Sequence, residues 1–168
     1  MNNSRKPSRR KFGEHYKNFF FTLIVLILSN YCMGQAYWIY QEAEGYYHGI
    51  EGYPQSYDKA FCLYKKSASM GNIASLRMLG ICYYNGYGIA SSKRKSFIYM
   101  KKAALHGDTA AMMILSSYYL DGEGCKKSWK NCIKYAFKAA DQGNESAIKF
   151  LRQFSLYTRT KIIFEEEL

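Results

Sequence analysis

Serine beside lysine, cysteine, and histidine are the side chains of this 168-residue sequence that could support covalent or ligand chemistry. Ser-x-x-Lys occurs at Ser56–Lys59, Ser92–Lys95 and Ser146–Lys149. In penicillin-recognising enzymes that tetrad carries a serine nucleophile with a basic neighbour. The companion SDN and KTG motifs are missing here. His48 and His106 stand alone, without a second ligand at metal-binding spacing, and no HExxH, GxSxG or phosphate-cradling loop occurs. The residue types therefore point away from an enzyme and imply neither a cofactor nor a metal.

The elements that hold these residues begin with an N-terminal leader. Arg5, Lys6, Arg9, Arg10, Lys11 and Lys17 precede the apolar run Phe19–Leu28, and the small-residue stretch SNYCMGQA follows. A basic region, about ten apolar residues and a small-x-small end describe a secretory signal peptide. Gly34 and Ala36 place the cut between Ala36 and Tyr37, so residues 1–36 form the leader. Two alternatives stand beside this reading. Tyr37–Tyr40 could lengthen the apolar stretch into an uncleaved signal anchor, the one route by which the chain would touch a membrane. A lipoprotein at Cys32 is disfavoured by the bulky Tyr31. All three send the remainder across the inner membrane, to the periplasm or outside. Without the six cations and one acid of the leader, 18 basic and 12 acidic residues remain, a net charge of +6. That balance favours acidic protein partners, and export argues against nucleic acid.

The remaining sequence is periodic. Gly71, Gly107 and Gly143 lie 36 residues apart, and the register extends to Leu79/Leu115/Leu151, Tyr47/Tyr83/Tyr119, Gly52/Gly88/Gly124 and Ser56/Ser92/Ser128. A fixed period of this length marks a solenoid. In Ala74–Asn85, Ser75, Leu79, Cys82 and Tyr83 recur at helical spacing; in Lys93–His106, Ser96, Phe97, Met100, Ala103 and Ala104 do. Each unit thus holds two amphipathic helices, A and B. Asn72, Asp108 and Asn144 cap the A helices and the serines cap the B helices. The fold expected is an all-α, α/α solenoid of three 36-residue helix-turn-helix repeats with a C-terminal capping helix. Its parts are repeats at 37–72, 73–108 and 109–144, a capping helix at 145–156 and a tail at 157–168.

The motif Ser75…Leu79-Gly80…Tyr83…Gly86-Tyr87-Gly88-Ile89, then Ser92…Lys95-Ser96, then Lys102-Ala103-Ala104…Gly107, resembles the Sel1-like repeat, a relative of the tetratricopeptide repeat. The first unit departs from it, with Ala43-Glu44 for Leu-Gly and Ile50 for the first turn glycine. The resemblance implies a protein-interaction module. Among exported relatives it suggests an immunity protein that neutralises a periplasmic toxic effector, or an envelope scaffold or adaptor. Some relatives are described as binding β-lactams, but two of the three Ser-x-x-Lys tetrads beyond the leader coincide with the capping serine and the repeat lysine.

The register also arranges the remaining candidates. With Ser75, Leu79 and Tyr83 inward, the opposite A-helix stripe carries Arg77, Ile81, Tyr84, Met113, Ser117, Leu120, Lys149 and Gln153, a partner-binding concave face unless some of these pack between repeats. Cys62 and Cys82 lie ten residues either side of Asn72, at similar heights on adjacent helices, which suggests Cys62–Cys82 and Cys125–Cys132 disulfides in an oxidising compartment. The alternative is that they are small core residues. The lysines at 93–95, 101–102 and 126–127 fit a solvated B-helix face.

Overall fold

A computed structural model describes residues 9–50 and 52–166, with the side-chain surroundings of 19–50 and 52–155. The first eight residues of the expected leader, with Arg5 and Lys6, and the last two of the expected tail lie outside them. The described residues form helices and no strand: α1 (Arg9–His48), α2 (Tyr57–Ser69), α3 (Ile73–Asn85), α4 (Lys93–Leu105), α5 (Thr109–Asp121), α6 (Trp129–Asp141) and α7 (Glu145–Glu166). Each helix packs on its sequence neighbours, most extensively within a repeat: α1 with α2, α3 with α4, α5 with α6. The result is the expected helical solenoid.

Local chemistry sets the helix ends. Asn72, Asp108 and Asn144 accept from the backbone N–H groups of Ser75, Ala111 and Ala147 at 2.8–3.0 Å. Ser56, Ser92 and Ser128 do the same, more loosely, for Lys59, Lys95 and Asn131. Two of the Ser-x-x-Lys serines are thereby occupied as helix caps, their hydroxyls turned to the backbone. Gly88 and Gly124, both at φ +67°, explain the second glycine of each A–B turn. A Cβ there would strike the backbone of Tyr57 and of Lys93 respectively, at the start of the previous B helix. Only glycine combines the left-handed backbone with that approach.

The core consists of two clusters joined by Ile81. One centres on Leu79, Cys82, Tyr64 and Ala60, the other on Leu115, Met100, Ala103 and Ala139. Small residues mark the close crossings. Gly80 faces Met100, whose side chain occupies the space a Cβ would need. In the same register Ser116 donates to the Cys132 carbonyl at 2.9 Å. The first unit has Glu44 at this position, and Tyr64 in place of Met100. There the Tyr64 hydroxyl donates to the Glu44 carboxylate, closing the crossing with a hydrogen bond instead of a hydrocarbon contact. Burial and that bond hold the Tyr64 phenol well above its ordinary range.

The molecule departs from the sequence expectations at three places. First, α1 is unbroken from the leader through the first A helix, with no boundary at residue 36. Gly34, the one glycine beside the expected cut, does not break the helix, and nothing crowds it. Second, α7 continues in helix to Glu166 instead of ending at 156, since neither Gly nor Pro occurs between Glu145 and Glu166 to stop it. Third, the proposed disulfides are not formed and all five cysteines are free. Cys62 and Cys82 face different surroundings: Cys62 is exposed on α2, whose buried face is Ala60, Phe61, Tyr64 and Ser67, while Cys82 is fully buried on α3. Burial pushes the Cys82 thiol up to about 12. Cys132 lies buried beside the Ser116 hydroxyl at 3.3 Å, and Cys125 donates to the Tyr118 carbonyl at 3.4 Å. Cys82 and Cys132 are thus small core residues, whereas Cys62 is neither paired nor in the core, so the alternative given above holds for Cys82 alone of the first pair.

Candidate functional site

The candidate stripe is spread over α3, α5 and α7, whose matching positions the 36-residue period places in columns. Arg77 begins it on α3. Its guanidinium Nε donates to Asp108 Oδ2 at 3.0 Å, while Asp108 Oδ1 caps α5. The arginine is thereby committed across a repeat junction, with its side chain mostly covered. Ile81, one turn on, is half-buried and touches both core clusters. Met113, in the Arg77 column of the next repeat, packs against the second cluster as well. The structure therefore brings Ile81 and Met113 to the same cluster as partly covered apolar side chains.

Tyr84, further along the stripe, is 37% exposed, and two neighbours hold its ring. Its ring stacks on Tyr118 with centroids 5.7 Å apart, and the Lys93 ammonium lies 5.8 Å from its centroid. Lys93 also pairs with Glu123 at 2.6 Å, and its hydrogen bond to that carboxylate holds the amine above its ordinary range. Beneath, the Tyr118 hydroxyl meets the buried Ser96 hydroxyl at 2.8 Å. Burial raises the Tyr118 phenol, with the Ser96 bond opposing that shift. Ser117 is exposed and Leu120 half-buried on α5, while Lys149 and Gln153 project from α7. The stripe thus runs from a neutralised arginine through rigid apolar and aromatic side chains to a free lysine.

Tyr118, the support of Tyr84, was not among the expected site residues. A sequence signal for it exists: the same register holds Tyr46, Cys82, Tyr118 and Phe154, aromatic in three of four units. Each of these rings packs on another, Tyr46 edge-to-face with Tyr53 and Phe154 stacked on Trp129. The B-helix lysines are partly engaged too. Lys95 lies over Tyr83, Lys102 over Tyr99 and Lys138 over Tyr135, at 5.3–6.0 Å. Tyr83 and Tyr99, and one repeat later Tyr119 and Tyr135, stack within 5.7 Å. At the far end of the stack, α6 and α7 leave an open groove of about 670 Å³ lined by Phe137, Ala140, Ile148 and Leu151 among others.

Comparison with known proteins places this architecture. The chain resembles the protective antigen c5321 of uropathogenic Escherichia coli strains, which displays an SLR fold. Identity is 30%, over 70% of this chain and 25% of that one, with a TM-score of 0.67. It also resembles a Sel1 repeat protein from Oxalobacter formigenes, at 28% identity over 65% of this chain and 44% of that one, TM-score 0.62. Helicobacter pylori cysteine rich protein B (hcpB) shares the fold at 24% identity, covering 70% of this chain and 93% of that one, TM-score 0.57. This chain accordingly spans a quarter of the first relative and less than half of the second. No curated protein matches the sequence. The Sel1 repeat family model matches residues 34–72, 73–108 and 109–144 in the register read from the glycines. With three such repeats over most of its length, the chain belongs to the Sel1 repeat family, a family of protein-interaction modules.

Proposed function

We propose that this chain is an exported protein-binding module whose A-helix stripe holds a partner protein. The observation that supports this most is Tyr84, an exposed ring held in contact with Tyr118 and Lys93, with half-buried Ile81, Met113 and Leu120 on the same stripe. Rigid aromatic and apolar anchors lose little rotamer entropy on binding, which is why such residues dominate binding energy at interfaces. The cations flanking the stripe's centre, Arg77 and Lys93, already hold carboxylates, so affinity there comes from apolar contact. Lys149 and the net positive charge favour a partner with an acidic rim. The finer reading follows from the resemblance: a small exported chain with few repeats suits an immunity protein that blocks a toxic periplasmic effector. An envelope scaffold or adaptor would use the same stripe.

The test is affinity capture of the full chain from its own envelope, in parallel with Tyr84→Ala/Met113→Ala. A protein held by the wild type and lost at least tenfold in the variant, at unchanged helix content, supports the stripe. Equal recovery by both would reject it. For the immunity reading, the captured protein should be toxic when expressed alone in the periplasm and harmless when co-expressed with this chain.

A further inference from the structure

The residues immediately before the expected cut belong to the folded domain. Ala36 is 2% exposed, and its carbonyl accepts from the Oγ of fully buried Ser67 at 2.6 Å. Met33, Ala36 and Tyr37 form one wall of a groove against the turn between α2 and α3. The match to the repeat family likewise starts at residue 34, ahead of the cut. A chain starting at Tyr37 would strip the Ser67 hydroxyl of its acceptor and remove the turn of α1 that covers the end of α2.

Upstream of this point α1 has the surface of a membrane span. From Phe19 to Gln35 every residue is exposed, and the stretch is apolar around its whole circumference from Phe19 to Leu28. Seventeen helical residues reach about 25 Å, at the short end of the range that crosses a hydrocarbon core of about 30 Å. The aliphatic hydroxyls within the span do not need water: Thr22 donates to the Phe19 carbonyl and Ser29 to the Leu26 carbonyl, at 2.8 and 2.9 Å, while the Tyr31 phenol lies in the outer half. Asn30 and Gln35, its amides, lie in the outer half. Both ends carry interface markers. The six N-terminal cations mark the cytoplasmic side, and Tyr37 and Trp38, 52% and 72% exposed, mark the other, where amphipathic rings sit among headgroups. A removable leader needs the apolar core and the cations. It does not need its last residues built into the fold, nor exposed aromatics just beyond them.

We propose that α1 is retained as a membrane anchor, its Phe19–Gln35 surface covered by lipid acyl chains, and that the first repeat is built on the emerging end of that span. The solenoid would then stand at the membrane surface, joined to its anchor by continuous helix without a linker. The proposal rests on the export reading above, and the test separates the two.

The full chain carrying a C-terminal epitope is expressed in bacteria beside Gly34→Leu, which removes the small residue a signal peptidase requires where the helix has room for a side chain. Both proteins should keep the residues before Tyr37, have masses that differ by the substitution alone, and remain in the membrane pellet at alkaline pH. Protease added to spheroplasts should digest the epitope. A soluble wild-type product beginning at Tyr37, converted to the long form by Gly34→Leu, would overturn the anchor and leave export standing. Long chains released by alkali would overturn it as well. An epitope protected in intact spheroplasts would overturn export and the anchor's orientation together.

Discussion

The first and second repeats share one 36-residue frame and close it with different chemistry. In the second, Gly80 lets Met100 fill the crossing, and Gly88 brings the A–B turn onto the backbone of the preceding B helix. Among the described residues no B helix precedes the first, so the matching Gly52 has open space around it, and Glu44 and Tyr64 close the crossing by a hydrogen bond. Its turn is also shifted: Gly49 takes the left-handed conformation one residue before the position that Ile50 fills. Interior units are thus held by backbone proximity that admits only glycine, while the end unit relies on side chains. A one-dimensional stack needs both, because a terminal unit has a neighbour on one side only.

The largest effect that would test this contrast is at the turn glycines. Gly124→Ala forces a side chain into the Lys93 backbone at positive φ and should cost about 4 kcal/mol in denaturant unfolding. Gly52→Ala, with the same sign of φ but open surroundings, should cost about 1 kcal/mol. Equal losses would mean that backbone conformation, and not approach, sets the requirement. The leucine column gives a second contrast. Leu115 is fully buried, whereas Leu151 lines the open groove at the end of the stack. Leu115→Ala should cost about 3 kcal/mol and Leu151→Ala about 1 kcal/mol, measured the same way.

The smallest effect concerns ionisation and thiol access. Burial raises Cys82 from an ordinary 9 to about 12 and Tyr47 from 10 to about 12. Both groups are essentially neutral in folded and unfolded chains below about pH 8, so they leave stability flat there. Above that the unfolded chain ionises first and stability falls with rising pH, until the folded groups titrate near 12. Cys82→Ala should soften the onset of that fall between pH 9 and 10 in thermal melts. At neutral pH a maleimide should label Cys62 within minutes and reach Cys82 and Cys132 only on unfolding. Non-reducing peptide mapping that found Cys62 joined to Cys82 would require α2 to rotate from its present face.

What could be read from the sequence was local. The helices α2 to α6 match the periodicity to within a residue or two because their ends are written in neighbouring residues, a capping Asn, Asp or Ser at one end and a glycine at the other. The continuity of α1 could not be read that way. A small-x-small end such as Gly34-Gln35-Ala36 is a recognition pattern for a peptidase, and a helix passes through it without penalty. The cysteine pairing is absent for a related reason: equal height on adjacent helices says nothing of rotation, and Cys62 lies off the buried face of α2. The partner of Arg77, 31 residues distant, depends on how one repeat is set against the next, which no spacing rule supplies. Among the stripe residues, columns were legible from the period; burial and support by Tyr118 were not.

Asp108 gives the solenoid unequal joints. Its two oxygens tie the first turn of α5 to the middle of α3, so tilting the third repeat against the second must break a charge-assisted bond or uncap a helix. The other two junctions carry Asn72 and Asn144 at the same position, opposite Gln41 and Met113 in the Arg77 column, and neither pairing can form that ion bridge. Under load from a bound partner, the second and third repeats should move as one stiff block, with bending concentrated at the joints on either side.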